Sequence, residues 1–171
     1  MWINKIVLNN FRNYSSQEIE LNKDINIFYG ENAQGKTNII ESVYLCSVGK
    51  SFRAKKDQEL IKFNKEKAVV EIEYNKSDRY GKIKIEIENR KKISVNGIKL
   101  KKLSELLGNI NVVIFTPDDI DILKGGPQKR RKFLDVMISQ LKPNYMHVLN
   151  LYLKTLEQRN NYLRQIKFVR M

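Results

Sequence analysis

Two periods of apolar residues divide this chain, one of two residues and one of three to four, and they predict strands and helices in a definite order. Trp2 to Leu8 and Glu18 to Leu21 read as strands flanking a polar turn. Ile25-Asn26-Ile27-Phe28-Tyr29 reads as a further strand, and Asn38-Ile39-Ile40-Glu41-Ser42-Val43-Tyr44-Leu45 as a helix. Period two then returns at Val70, Ile72, Tyr74, at Ile83, Ile85, Ile87, and at Ile93, Val95, Ile98, Leu100. These predict antiparallel strands with one wet face over about residues 68–100. Asn96-Gly97 between two short alternating runs predicts a tight hairpin with positive φ at both turn positions. Ile110 to Phe115 reads as a buried strand, and Pro127 suits the first position of a helix over 127–141. From Pro143 onward Tyr145, Leu149, Tyr152, Leu156, Leu163 and Ile166 form a seam interrupted by Arg159. That seam fits a helix packed on the core or an antiparallel coiled arm.

Between the third strand and the first helix stands GENAQGKT, residues 30 to 37, which matches G-x-x-x-x-G-K-[ST] in the context the motif needs. A loop that wraps a polyphosphate points consecutive N–H groups inward, and the helix behind it aims its positive end at the same place. Gly30 and Gly35 give the loop its freedom, with Glu31, Asn32, Ala33 and Gln34 between them and Asn38 just beyond. Lys36 can reach the terminal phosphates, and Thr37 can place its hydroxyl on Mg²⁺. The motif names ATP or a similar triphosphate as ligand and leaves function open.

Charge narrows the partners. The chain has 171 residues, enough for one domain with a proper core, with 42% hydrophobic and 30% charged residues and a net charge of +13. Such an excess favours polyanions, nucleic acid first. Lys82, Lys84, Arg90, Lys91, Lys92, Lys99, Lys101 and Lys102 crowd the alternating strands, but Glu86 and Glu88 interleave, so a solvated face and a nucleic-acid surface both fit. Lys129, Arg130, Arg131 and Lys132 occupy the first turns of the helix at Pro127, where a helix dipole prefers acids, so an anion is expected nearby. Asp118, Asp119 and Asp121 could supply it, or a phosphate could. Thr116-Pro117 set these carboxylates beyond the strand end, and Leu123 to Gln128 lack the serine of an LSGGQ element. Cys46 is the sole cysteine, so no internal disulfide forms and a buried, reduced thiol is expected. The chain opens without a signal peptide and has no run of about 18 apolar residues, which points to a cytoplasmic protein away from membranes.

With these residues read, the chain resembles the RecF family, ABC-type ATPases of bacterial recombinational DNA repair related to the SMC proteins. The resemblance rests on LNNFRNY (Leu8 to Tyr14), GENAQGKTNIIE (Gly30 to Glu41), GKSFR (Gly49 to Arg53) and PDDIDILKGGPQKRRKFLD (Pro117 to Asp135) together. It implies an α/β P-loop NTPase of the ABC/SMC type: the N-terminal half of a head, with a mixed sheet and an antiparallel β-subdomain in residues 1–141, then a helical arm over 142–171. It implies ATP with Mg²⁺, an ATP-dependent homodimer on double-stranded DNA, action with RecR to load RecA near gaps during repair, replication and the SOS response, and release on hydrolysis. On matching positions it implies that Lys36 stabilises the transferring phosphoryl charge and that Arg12 adds a phosphate contact. The resemblance also implies that Asp118 and Asp119 lie near where the family's Q-loop senses the γ-phosphate, though no glutamine stands there. Lys50, Arg53, Lys55 and Lys56, with Arg130 and Arg131, are the candidate DNA contacts.

The family's dimer element and its Mg²⁺- and water-activating acids do not occur here. The expectation is therefore an N-terminal piece that lacks hydrolysis, cut from a weak DNA-stimulated ATPase, whose phosphate-loop strand needs neighbours from the other half. Another SMC-like ATPase with a coiled arm, or a basic DNA-binding module with an idle loop, are the competing readings.

Overall fold

The computed structural model describes residues 1–77, 79–120 and 126–169. Six strands form one sheet in the order β2-β1-β3-β4-β5-β6. They are β1 Trp2–Phe11, β2 Tyr14–Glu20, β3 Ala68–Lys76, β4 Arg79–Ile87, β5 Lys92–Val95 and β6 Ile98–Lys99, every neighbour antiparallel. Alternation decides which face is dry. Ile6, Leu8, Val70, Ile72, Ile83, Ile85 and Ile87 are each fully buried, and register stacks Ile6 beside Ile72 and Ile72 beside Ile83. Helix α1, Lys36–Val48, supplies Ile39, Leu45 and Cys46 to the same core. Burial raises the Cys46 thiol pKa well above its ordinary value. Asn96 and Gly97 take φ of 51° and 80°, the hairpin conformation their sequence predicts.

The opposite sheet face pairs part of the lysine cluster with glutamates. Lys82 reaches Glu71 at 2.6 Å and Glu73 at 3.4 Å, Lys84 reaches Glu71 at 3.5 Å and Glu86 at 3.4 Å, and Lys67 meets Glu86 at 2.9 Å. The bond from Lys67 holds the Glu86 carboxyl below its usual range. This face is an ion-pair lattice in water.

Two segments depart from expectation. Residues 25–29 and 110–115 read as strands, yet neither joins a ladder among the described residues. Ile25, Ile27 and Tyr29 are 78%, 79% and 91% exposed, and Val113 and Phe115 are 88% and 86% exposed. An apolar run gives a chain the propensity to extend, but pairing needs a second strand to take its N–H and C=O groups. Val112 alone finds a substitute: the Gln140 side chain accepts from its N–H at 2.7 Å and donates to its carbonyl at 3.2 Å. Gln140 sits on α2, Pro127–Leu141, which starts with Pro127 behind Gly126 as expected. Helix α3, Pro143–Val169, packs against α2 and the 3-10 turn Leu103–Glu105. Its seam is half-buried at Tyr145, Leu149 and Leu156 but open at Tyr152 and Leu163.

Candidate functional site

The motif loop leads into α1 and rests against the turn between β1 and β2. Gly35, at φ 104°, is the residue before the helix, and a Cβ there would stand 2.7 Å from the Tyr14 hydroxyl and 2.8 Å from Asn13 side-chain atoms. Both the left-handed conformation and the close approach require glycine. Lys36 folds back over the loop, its Nζ donating to the carbonyls of Gly30 at 2.7 Å and Glu31 at 2.5 Å. No side chain caps α1, and its first turn carries no acidic residue, so the positive end of the helix dipole is left uncompensated. Gly30 to Gln34 and Thr37 are exposed. The site therefore offers a lysine ammonium, a bare helix N-terminus and a hydroxyl on one open surface.

The three short motifs of the sequence meet here. Asn13 donates to the Gln34 carbonyl at 3.1 Å, Asn38 donates to Asn13 Oδ1 at 2.9 Å, and Arg53 donates to Asn38 Oδ1 at 3.1 Å. Phe52 packs edge-on against Tyr44 of α1, ring centroids 5.5 Å apart. Burial, then the charge of Asp119, raises the Tyr44 hydroxyl pKa. Below them Glu41 is completely buried and accepts a two-pronged bond from Arg12, Nε at 2.9 Å and Nη2 at 2.7 Å. Sequence reasoning passed over Glu41. Its signal was phase, since it shares a helical stripe with buried Leu45 and Val48 at positions where a charge is out of place.

The remaining candidates are distributed as follows. Arg12, expected at a phosphate, has its fork on Glu41 and donates from Nη1 to the Glu59 carbonyl at 2.8 Å. Asp119 accepts from the Thr116 N–H at 2.5 Å and hydroxyl at 2.9 Å, and so closes a local turn. It lines one crevice with Lys129 and Lys132. The side chain of Asp118, Asp121, and residues 123–125 of the stretch from Leu123 to Gln128 lie outside the described residues. Lys50, Arg53, Lys55 and Lys56 are exposed on the loop after α1, while Arg130 and Arg131 are exposed at the start of α2. Among the described residues no helix is long and apolar enough to cross a membrane.

A family model described as an AAA domain matches residues 5–167. The chain belongs to the AAA domain family. Within it the likeness to RecF expected from the motifs holds in sequence and in fold. The "DNA replication and repair protein RecF" of Clostridium acetobutylicum is 50% identical over 171 residues, covering 99% of this chain and 47% of the relative. That of Acetivibrio thermocellus is 46% identical over 172 residues, with 99% and 47% covered. A solved structure titled "Structure of the recombination mediator protein RecF-ATP in RecFOR pathway" superposes with a TM-score of 0.90 at 43% identity, covering 97% of this chain and 45% of that one. The SMC head domain from Thermotoga maritima, TM-score 0.52 at 19% identity over 62% of this chain and 41% of that one, shares the fold. This AAA domain spans about half the length of the curated relatives it matches.

Proposed function

We propose that this AAA domain is the nucleotide-cradling lobe of an ATP- and DNA-binding recombinational repair protein of the RecF type. The observation that carries the reading is Lys36 folded onto the carbonyls of Gly30 and Glu31, at the foot of a helix whose first turn no acid neutralises. These groups fit a triphosphate: Lys36 and the N–H groups of the loop would hold its phosphates, and Thr37 would hold the Mg²⁺ that accompanies it. When bound, the metal screens phosphate charge. The protein's part is to orient the chain of phosphates and place positive charge at its end. The basic loop at Lys50 to Lys56 lies beside this site, which suits contact with a duplex backbone. By the same reading a second copy closes over the nucleotide on double-stranded DNA, and the assembly acts with RecR to promote RecA loading near gaps, hydrolysis then driving release. A γ-phosphate role for Asp119 would require it to leave Thr116.

Equilibrium binding of MgATP to the parent and to Lys36→Ala tests the reading. The parent is expected to bind, and the variant to lose at least tenfold in affinity, the loss of about one charge-assisted contact. DNA binding identical with and without ATP, in a folded parent that binds no nucleotide, would instead support a passive basic module.

A further inference from the structure

We infer that Glu41 is a positioning residue that ties the β1–β2 turn, on which the nucleotide loop rests through Asn13, to the basic loop after α1 by holding Arg12 and Ser51 on one buried carboxylate. The inference rests on the nucleotide reading above for its consequence, though not for its geometry. Arg12 Nη2 and the Ser51 hydroxyl donate to the same oxygen, Glu41 Oε1, at 2.7 and 2.5 Å, while Arg12 Nε takes Oε2 at 2.9 Å. Ser51 Oγ in turn accepts from the N–H groups of Arg53 at 2.9 Å and Ala54 at 2.8 Å. From the other side, Arg12 Nη1 holds the Glu59 carbonyl, and the Glu59 carboxylate accepts from the N–H groups of Lys55 and Lys56 at 3.2 Å each. The segment Arg53 to Lys56 is thus gripped at both ends by groups that converge on Glu41.

The carboxylate stands on α1, whose first residue is Lys36, so a shift of the helix moves both grips together. A buried carboxylate shared in this way cannot release one partner without changing the charge and geometry presented to the other. An ordinary structural acid would hold one neighbour and leave the second indifferent. Here the guanidinium of the β1–β2 turn and the backbone of the candidate DNA loop answer to one group.

The test follows two signals in the intact chain, the Arg12 Nε–H resonance and the amide resonances of Arg53 to Lys56, together with MgATP affinity. Ser51→Ala is the decisive variant because it removes one of the two grips on the carboxylate and leaves the ion pair in place. It is expected to shift the Arg12 Nε–H resonance and weaken MgATP binding several-fold. Glu41→Gln should move both sets of resonances and weaken MgATP binding more than Ser51→Ala does. Ile72→Val, a core variant of reduced stability, should move neither. Should Ser51→Ala leave the Arg12 resonance in place, or Glu41→Gln behave like Ile72→Val, the assignment is wrong. If Glu41→Gln does not fold, Ser51→Ala still decides. If the parent binds no MgATP, the nucleotide reading fails, and the resonances alone judge Glu41.

Discussion

Replacing Arg12 with Ala isolates the energetic weight of the pair beneath the motif loop. The Glu41 side chain is 0% exposed and the Arg12 side chain 21%, so the substitution leaves a buried carboxylate with only the Ser51 hydroxyl beside it. Removing one member of a buried pair costs about 3–5 kcal/mol. The one-fifth exposure of Arg12 lets water enter the vacated space, which puts the cost near the lower end, at about 3 kcal/mol. In a domain of this size each kcal/mol moves the midpoint of thermal unfolding by roughly 2–4 °C, so Arg12→Ala should lower Tm by about 6–12 °C. The companion variant Arg12→Met/Glu41→Leu removes both charges and keeps the volume. It leaves the Ser51 hydroxyl and the Glu59 carbonyl without their present partners, a cost of about 1 kcal/mol each at most, yet should recover a good part of the loss. Circular dichroism at fixed salt measures all three proteins. A Tm within about 2 °C of the parent for Arg12→Ala, or a double variant no more stable than Arg12→Ala, would refute the argument.

Three further outcomes are expected. Gly35→Ala places a Cβ 2.7 Å from the Tyr14 hydroxyl at φ 104°, so it should lower stability by about 1–3 kcal/mol and disturb the loop, read as a lower urea midpoint together with weaker MgATP binding. Ile27→Lys with Val113→Lys, on the two exposed unpaired segments, should reduce concentration-dependent self-association in sedimentation while leaving Tm unchanged; a fall in Tm would mean these side chains are packed. Neutralising Lys55 and Lys56 to Gln should flatten the dependence of duplex-DNA binding on salt by up to about two in log–log slope, whereas Lys82→Gln, on the paired face, should leave it unchanged.

What could be seen in advance was whatever short stretches of chain decide by themselves. The loop from Gly30 to Thr37, the hairpin at Asn96-Gly97 and the helix start at Pro127 are local events, and each stands where its residues put it. The alternation of Val70, Ile72 and Tyr74 against Ile83, Ile85 and Ile87 likewise contained its own register, because one wrong step would turn every isoleucine to water. Ile25 to Tyr29 had the composition of a strand but not a partner, and partnership is a property of the rest of the molecule. The same limit hid the partners of Glu41 and Gln140, although the phase of Glu41 in its helix was readable. A carboxylate in a helix and an amide on another gain their meaning from Arg12 and Val112, which the fold delivers from distant positions.

The charge of the chain is understood in the same way, by asking where each cation finds its counter-charge. The register that sets Glu71 beside Lys84 and Glu73 beside Lys82 cancels much of the lysine-rich sheet face, so the excess of +13 is not spread evenly. Lys91, further along, is held by Asp57 at 2.8 Å and by the Gly49 carbonyl at 2.7 Å, where it anchors the end of α1. Around the loop after that helix, Lys50, Arg53, Lys55 and Lys56 form no ion pair with a carboxylate among the described residues, and Glu59 is engaged with main-chain N–H groups instead. Cations without a carboxylate partner on a short segment act over about a Debye length, roughly 8 Å at physiological salt, so their field is local to that segment and its neighbours. The sheet register therefore removes the net charge from one face, and Lys50, Arg53, Lys55 and Lys56 on the loop after α1 are among the exposed cations that keep it.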